Sequence, residues 1–340
     1  MEPNVFDANR GAFTLTSMTA AINRAPFVPG RLGQLGIFRA RGIATTHAWI
    51  EVKRQKLYLV NAVERGAPAQ KNQAELRDAI PVKCQHLPVE DRLNADELQG
   101  VRQFGTGSQL QGVQEAVNEK LGTMARSLDA TVEYHRMGAI TGKVLDADGT
   151  TVLLDIFKTF GVTQPTAINF DLGAADPVEG AVHQKCTDVI RTIEDELGNV
   201  PIEYVHAPCS PEFFDALVIE PEVREAYRRY RDSEFLRGRT ARRSFWYGGI
   251  LFEEYRGKVG SKRFIPANEV RFVPVGVPDL FDEIYAPANY MSAVNTIGLP
   301  RYAKPTMDPK DRWVDIDAQA NPLVICNTPR VLQRGVKSSG

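Results

Sequence analysis

The side chains of this sequence that are best grouped to do chemistry are arginines. Arg224, Arg228, Arg229, Arg231, Arg237, Arg239, Arg242 and Arg243 fall within twenty residues, with Glu225, Asp232 and Glu234 as the acids among them. A guanidinium is permanently charged and pairs bidentately with carboxylate or phosphate, so such a run is a recognition surface and not a proton-transfer site. Three readings fit it: ion pairs to carboxylates of a neighbouring subunit, contacts to nucleic-acid phosphates, or a solvated loop. The first is preferred here. The formal net charge of the whole chain is −1, which argues against condensing DNA by bulk positive charge.

The other candidate groups dissolve on inspection. Gly105-Thr-Gly-Ser108 has the glycines of a phosphate loop, but no apolar strand precedes it as a dinucleotide site requires. Glu194, Asp195 and Glu196 are adjacent, and successive residues of a helix face different directions, so they read as solvated charges and not as an acid/base pair. Cys84, Cys186, Cys209 and Cys326 stand far apart with no CxxC pair, and five scattered histidines form no ligand cluster; free thiols in a reducing cytoplasm are expected. The patterns GxxxxGK[ST], HExxH and GxSxG are absent. The sequence thus implies no catalytic residue, no cofactor and no metal.

At 340 residues the chain can form one large domain or several packed subdomains, and 43% hydrophobic with 24% charged residues is the balance of a folded soluble protein. Near-neutral charge permits dense self-association. The N-terminus lacks a signal-peptide pattern, and no apolar run approaches the roughly 18 residues of a membrane span.

The elements that must carry these residues follow from patterning. Residues 1–42 combine Pro3, Pro26, Pro29 and five glycines with a recurring apolar series that includes Phe13, Leu15, Ile22, Phe27, Leu32 and Phe38. Helix breakers at that density, with apolar side chains that still need burial, read as an extended arm lying on something else, or as a segment wrapped on its own domain. Thr46–Lys53 and Lys56–Val63 read as a hairpin, Glu64–Asp78 as a polar tip, and Ile80–Leu87 as a returning strand, together a projecting loop. From 109 to 137, Leu110, Val113, Val117, Leu121, Met124, Leu128 and Val132 form one stripe, a helix of about 43 Å. A hairpin turning at Asp148-Gly149, a helix over 177–197 and short helices over 211–230 come next. Strands are read at 245–252, 270–275, 313–318 and 322–326.

Several local patterns resemble the capsid protein E family of lambda-type tailed phages: Met18–Phe27 (MTAAINRAPF), Pro29–Phe38 (PGRLGQLGIF), Thr45-Thr46 with Trp49-Ile-Glu51, Pro208–Val218, Pro221–Tyr227, and Phe245–Tyr255 (FWYGGILFEEY). Their order and spacing cover roughly residues 15 to 330. The resemblance implies an α+β chain with the Hong Kong 97-type phage capsid fold. Residues 1–42 would be the N-terminal arm and 43–92 the extended loop. Residues 93–182 would be the peripheral domain with the long spine helix, 183–305 the axial domain, and 306–340 the return to the peripheral domain with a C-terminal tail.

The function so implied is a major capsid protein that self-assembles into the icosahedral shell around a double-stranded DNA genome, in the virion after assembly in the host cytoplasm. Its partners would be further copies of itself as hexamers and pentamers, a separate scaffolding protein (no long coiled coil precedes the arm), a portal protein, a decoration protein in shells that carry one, and packaged DNA held without sequence-specific contacts; no membrane is implied. Phe27, Phe38, Trp49, Arg224, Arg228, Arg229, Arg242 and Arg243 are the subunit-interface candidates. Lys71 and Asn72 fall in the loop, where some family members cross-link, but any loop holds such residues and cross-linking is not inferred. Two alternatives stand beside this: an encapsulin-like compartment shell, and a soluble enzyme of another family.

Overall fold

The structure, a computed structural model, describes residues 14–24, 30–53, 77–99, 112–198, 200–232, 243–310 and 312–337. Its first element corrects the extended-arm expectation. Residues 12–25 contain neither Pro nor Gly, and Leu15, Met18 and Ile22 recur at helical spacing, so Leu15–Arg24 folds as a helix, α1. Thr14 Oγ1 caps it by accepting the Ser17 N–H at 3.1 Å. Met18 and Ile22 are fully buried on the same chain. The helix breakers act only beyond Arg24. There the chain makes one short turn, α2 (Arg31–Gln34), and enters a strand, β1 (Phe38–Gly42).

Strand β2 (His47–Lys53) pairs antiparallel with β3 (Arg77–Lys83), with Trp49 opposite Pro81 and Ile50 opposite Ile80. The described partner of the 46–53 strand is the returning strand; Lys56–Val63 lies outside the described residues. The return also begins three residues before the expected Ile80. Strand β4 (Leu87–Asn94) and a turn of helix, α3 (Ala95–Leu98), lead to the long helix α4, Val113–Thr141. Its expected end at 137 is corrected by one turn: Met137, Gly138, Ala139 and Ile140 are still helical and buried, and Gly142 at φ 87° stops the helix in the left-handed region that favours glycine.

The expected hairpin appears as β5 (Lys143–Leu145) and β6 (Val152–Asp155), followed by α5 (Ile156–Phe160) and β7 (Ile168–Asn169). Helix α6 (Ala181–Leu197), strand β8 (Tyr204–Cys209), and helices α7 (Pro211–Ile219) and α8 (Pro221–Asp232) come next. The stretch 245–252, read as one strand, is a hairpin: β9 (Ser244–Tyr247) and β10 (Ile250–Glu254) are joined by Gly248 and Gly249 at φ 55° and 81°. Two consecutive positive-φ residues make the tight turn whose twist matches antiparallel strands. The chain continues through β11 (Lys258–Val259), β12 (Lys262–Arg263), β13 (Glu269–Val275), β14 (Phe281–Tyr285), β15 (Tyr302–Met307), β16 (Trp313–Ala320), β17 (Pro322–Cys326) and β18 (Gln333–Val336).

Three layers position the surfaces that matter. The sheet β15-β16-β4 lies under the first two-thirds of α4, where Leu93, Val314 and Ile316 meet Val117, Leu121, Met124 and Leu128, with Met18 and Ile22 of α1 in the same core. The mixed sheet β7-β18-β13-β8-β10-β9 carries α6 and α7 on one face, packed through Val189, Ile193, Phe213, Phe214, Phe252 and Phe272. Between them, the sheet β1-β14-β17 joins the last turns of α4 and the β2–β3 ribbon in a third core. The C-terminal segment contributes to all three: β16 to the first sheet, β17 to the central one, β18 to the mixed one.

Candidate assembly surfaces

A buried ionic knot fixes how the three layers meet. Glu133, in the C-terminal third of α4, accepts the N–H groups of Leu32 at 2.7 Å and Gly33 at 3.2 Å, so it caps the short α2 turn. The same carboxylate takes Arg136 Nη1 at 3.1 Å and the Tyr255 hydroxyl at 3.3 Å. Arg136 reaches on to Glu283 of β14 with two bonds, of 2.8 and 3.0 Å. Gly30 is required beside this knot, because a Cβ there would overlap the Glu133 carboxyl group. Burial, with Glu133 and Glu283 alongside, pushes the Tyr255 and Tyr285 hydroxyls well up, so both remain proton donors.

A second anchor ties α2 to the mixed sheet. Arg31 forks onto Glu253 of β10, Nε to Oε1 at 2.7 Å and Nη2 to Oε2 at 2.6 Å, and His206 Nε2 lies 3.1 Å from Oε2. Burial alone would raise the Glu253 carboxyl; the His206 and Arg31 contacts outweigh it and hold the group at about 2. Sequence reading missed both anchors, since single acids in a helix and a strand carry no spacing signal until the chain folds.

The expected interface residues separate into engaged and free. Phe38 is half-buried within its own chain, 5.1 Å from the Phe281 ring, with the Arg136 guanidinium over its face. Arg243 is exposed but also engaged at home: it pairs with Asp215 and Glu254 at 2.9 Å each and lies over the Phe214 ring. Arg229 pairs with Glu225 one turn back on α8. Arg224 and Arg228 project from the exposed side of α8, and no ion pair involves either among the described residues. Trp49 is 62% exposed on the outer side of the β2–β3 ribbon, while Ala48, Ile50 and Val82 are buried. Phe27 and Arg242 lie outside the described residues, as do Lys71, Asn72 and Gly105–Ser108.

One apolar surface was not foreseen. The connection from β14 to β15 exposes Met291 at 92%, Ile297 at 71%, Val294 at 56% and Leu299 at 42%. Its signal in the sequence is four large apolar residues within nine, bracketed by Pro287 and Pro300, with neither strand nor helix periodicity. Apolar side chains clustered on one exposed connection mark an interaction surface. Among the described residues there is no group of three or more His, Cys, Asp or Glu placed to hold a metal ion, and no helix is long and apolar enough to cross a membrane.

Comparison with known proteins agrees with this picture. The family model of the phage major capsid protein E matches residues 14–337. The major capsid protein of Pseudomonas phage KPP10 is 31% identical over 344 residues, covering 95% of this chain and 96% of the relative. That of Salmonella phage Felix O1 is 26% identical over 360 residues, covering 96% of each. Among solved structures, a prophage capsid protein from E. coli CFT073 superposes with a TM-score of 0.58 at 13% identity, covering 95% of this chain and 99% of its own. The capsid of Ralstonia phage GP4 gives 0.52 at 7% identity, covering 89% and 88%. At such identities the two structures speak for the fold alone, the α+β phage capsid fold of Hong Kong 97 type.

Proposed function

This chain belongs to the phage major capsid protein E family and forms a phage capsid shell by self-association, and from that premise we propose how its parts build one. The peripheral domain, expected at 93–182 with the returning segment 306–340, is the α4 helix on the β15-β16-β4 sheet, which also draws β4 and most of β15 from outside those bounds; the axial domain, expected at 183–305, is the mixed sheet with α6, α7 and α8, to which β7 and β18 are added from outside them. The β2–β3 ribbon is the base of the extended loop, 43–92, and Trp49 on its outer side meets a neighbouring subunit. The N-terminal segment, 1–42, is the arm, anchored on its own chain through α1 and α2.

The observation that carries this reading is the exposed apolar connection Met291–Leu299 together with Trp49, surface that the chain itself leaves uncovered. Closing a symmetric lattice buries such surface in every subunit at once. Hexamers and pentamers, a separate scaffolding protein, a portal protein, a decoration protein and double-stranded DNA held without base-specific contacts are the partners such a shell would use, with assembly in the host cytoplasm. The role is structural and not catalytic. The relatives are phage head proteins, which does not favour the encapsulin-like compartment.

The test is assembly itself. Expressed with the head genes that accompany it in its phage, the chain should yield shell-sized particles by light scattering and electron microscopy. A stable monomer at high concentration, with those gene products present, would overturn the reading.

A further inference from the structure

We propose that the basic face of α8 receives the acidic last turn of α6 from a second copy of this chain, in a head-to-tail contact that repeats around a ring. The inference rests on the shell reading and adds the partner surface. Two unneutralised patches of opposite sign lie on one layer. Arg224 and Arg228 stand one turn apart on α8, exposed, with no ion pair to either among the described residues. Like charges at that spacing destabilise a helix unless an acid sits between them. Glu194, Asp195 and Glu196 are exposed in the last turn of α6, which contains no basic residue. A helix C-terminus is already the negative end of the backbone dipole, so three carboxylates there repel it and one another.

Within one chain no ion pair joins these patches among the described residues. Glu222, two residues before Arg224, accepts the Val182 and His183 N–H groups at 3.2 and 3.0 Å, which fixes the start of α8 at the start of α6. The carboxylates are at the far end of α6, roughly 18 Å along its axis at 1.5 Å per residue, well beyond the screening length of about 8 Å at physiological salt. A layer that is basic at one end and acidic at the other is neutralised by copies set head to tail, and such a contact, repeated with a rotation that closes, makes a ring. Phosphate would also suit the arginines, but it leaves the acidic turn uncompensated, whereas a second copy answers both patches.

A charge exchange decides it. Arg224→Glu with Arg228→Glu, and separately Glu194→Lys with Asp195→Lys, should each remove the shell-sized fraction on sedimentation while circular dichroism and melting of the unassembled chain stay unchanged. The chain carrying all four substitutions should assemble again. If either pair disturbs folding, Arg224→Gln with Arg228→Gln keeps the question open to measurement, and it too should cut the assembled fraction. Assembly lost with the arginine pair but not regained by the four-fold exchange would overturn the partner named here and leave the shell reading intact. Normal shells from the arginine pair, failing only in DNA retention, would give the face to phosphate and overturn the inference. No shell from the unsubstituted chain, with its accompanying head genes present, would remove the shell reading and this inference with it.

Discussion

Glu133 and Leu32, 101 residues apart in sequence, are joined by a bond of 2.7 Å from the Leu32 N–H to the Glu133 carboxylate. Through it the spine-like helix α4 holds the N-terminal segment at the start of α2, and through Arg136 it holds the central strand β14. An acid with four donors around it is fully used, so each donor is orphaned when it is removed.

Glu133→Ala is therefore expected to destabilise the unassembled subunit by about 3 kcal/mol, the cost of leaving the buried Leu32 and Tyr255 donors and one Arg136 N–H unmatched while Glu283 still holds the cation. Glu133→Gln keeps an acceptor for Leu32 and loses the charge opposite Arg136, so it should fall between the two. Urea melts of the three proteins check this order. Equal midpoints would show that the knot is incidental to how the layers are held.

The same region shows what the sequence made legible. The stripe from Val113 to Val132 announced α4, and Asp148-Gly149 announced its hairpin, because both signals are local. The α1 helix is hidden by the prolines and glycines on either side of it, although residues 12–25 contain neither. The β9–β10 turn is hidden because Gly248-Gly249 lies inside an apolar run that patterns as one continuous strand, and only its two positive φ angles make it a turn. Of the interface candidates, Trp49, Arg224 and Arg228 are on free surface, whereas Phe38 and Arg243 find partners at home, 243 residues away at Phe281 and 28 residues away at Asp215. Partners at such separations leave no mark on local spacing.

Acid should loosen the subunit before carboxylates protonate in bulk. His135 is buried in α4, and burial lowers its pKa to about 4, below the ordinary value near 6.5. Folding thus expels a proton between those values: the stability is complete above about 6.5 and is lost as pH falls toward 4, by about 3 kcal/mol. Glu253, held at about 2, acts in the same direction at lower pH, its contribution present above the usual carboxylate range and lost as pH falls through that range toward 2. Melting temperatures of the unassembled chain between pH 7 and 4 should fall steadily, and His135→Phe should flatten the upper part of that slope. An unchanged slope in this variant would place the titration elsewhere.

The exposed connection between β14 and β15 separates stability from assembly. Met291 and Ile297 are 92% and 71% exposed, so their side chains contribute little to the folded subunit, and changing both to Ser should shift its stability by no more than about 0.5 kcal/mol each. In a closed shell the same side chains would be covered, at about 25 cal/mol for each Å² of apolar surface removed from water, and that contribution repeats in every subunit. Met291→Ser with Ile297→Ser should therefore melt like the unsubstituted chain and yet leave most of the protein out of shell-sized particles. Trp49→Ser tests the β2–β3 ribbon in the same way, since Trp49 points outward while Ile50 beside it holds the ribbon to the core. A double variant that assembles in normal yield would show that the connection faces solvent in the finished shell, and the contact between subunits would then have to be sought along the ribbon and the arginine face instead.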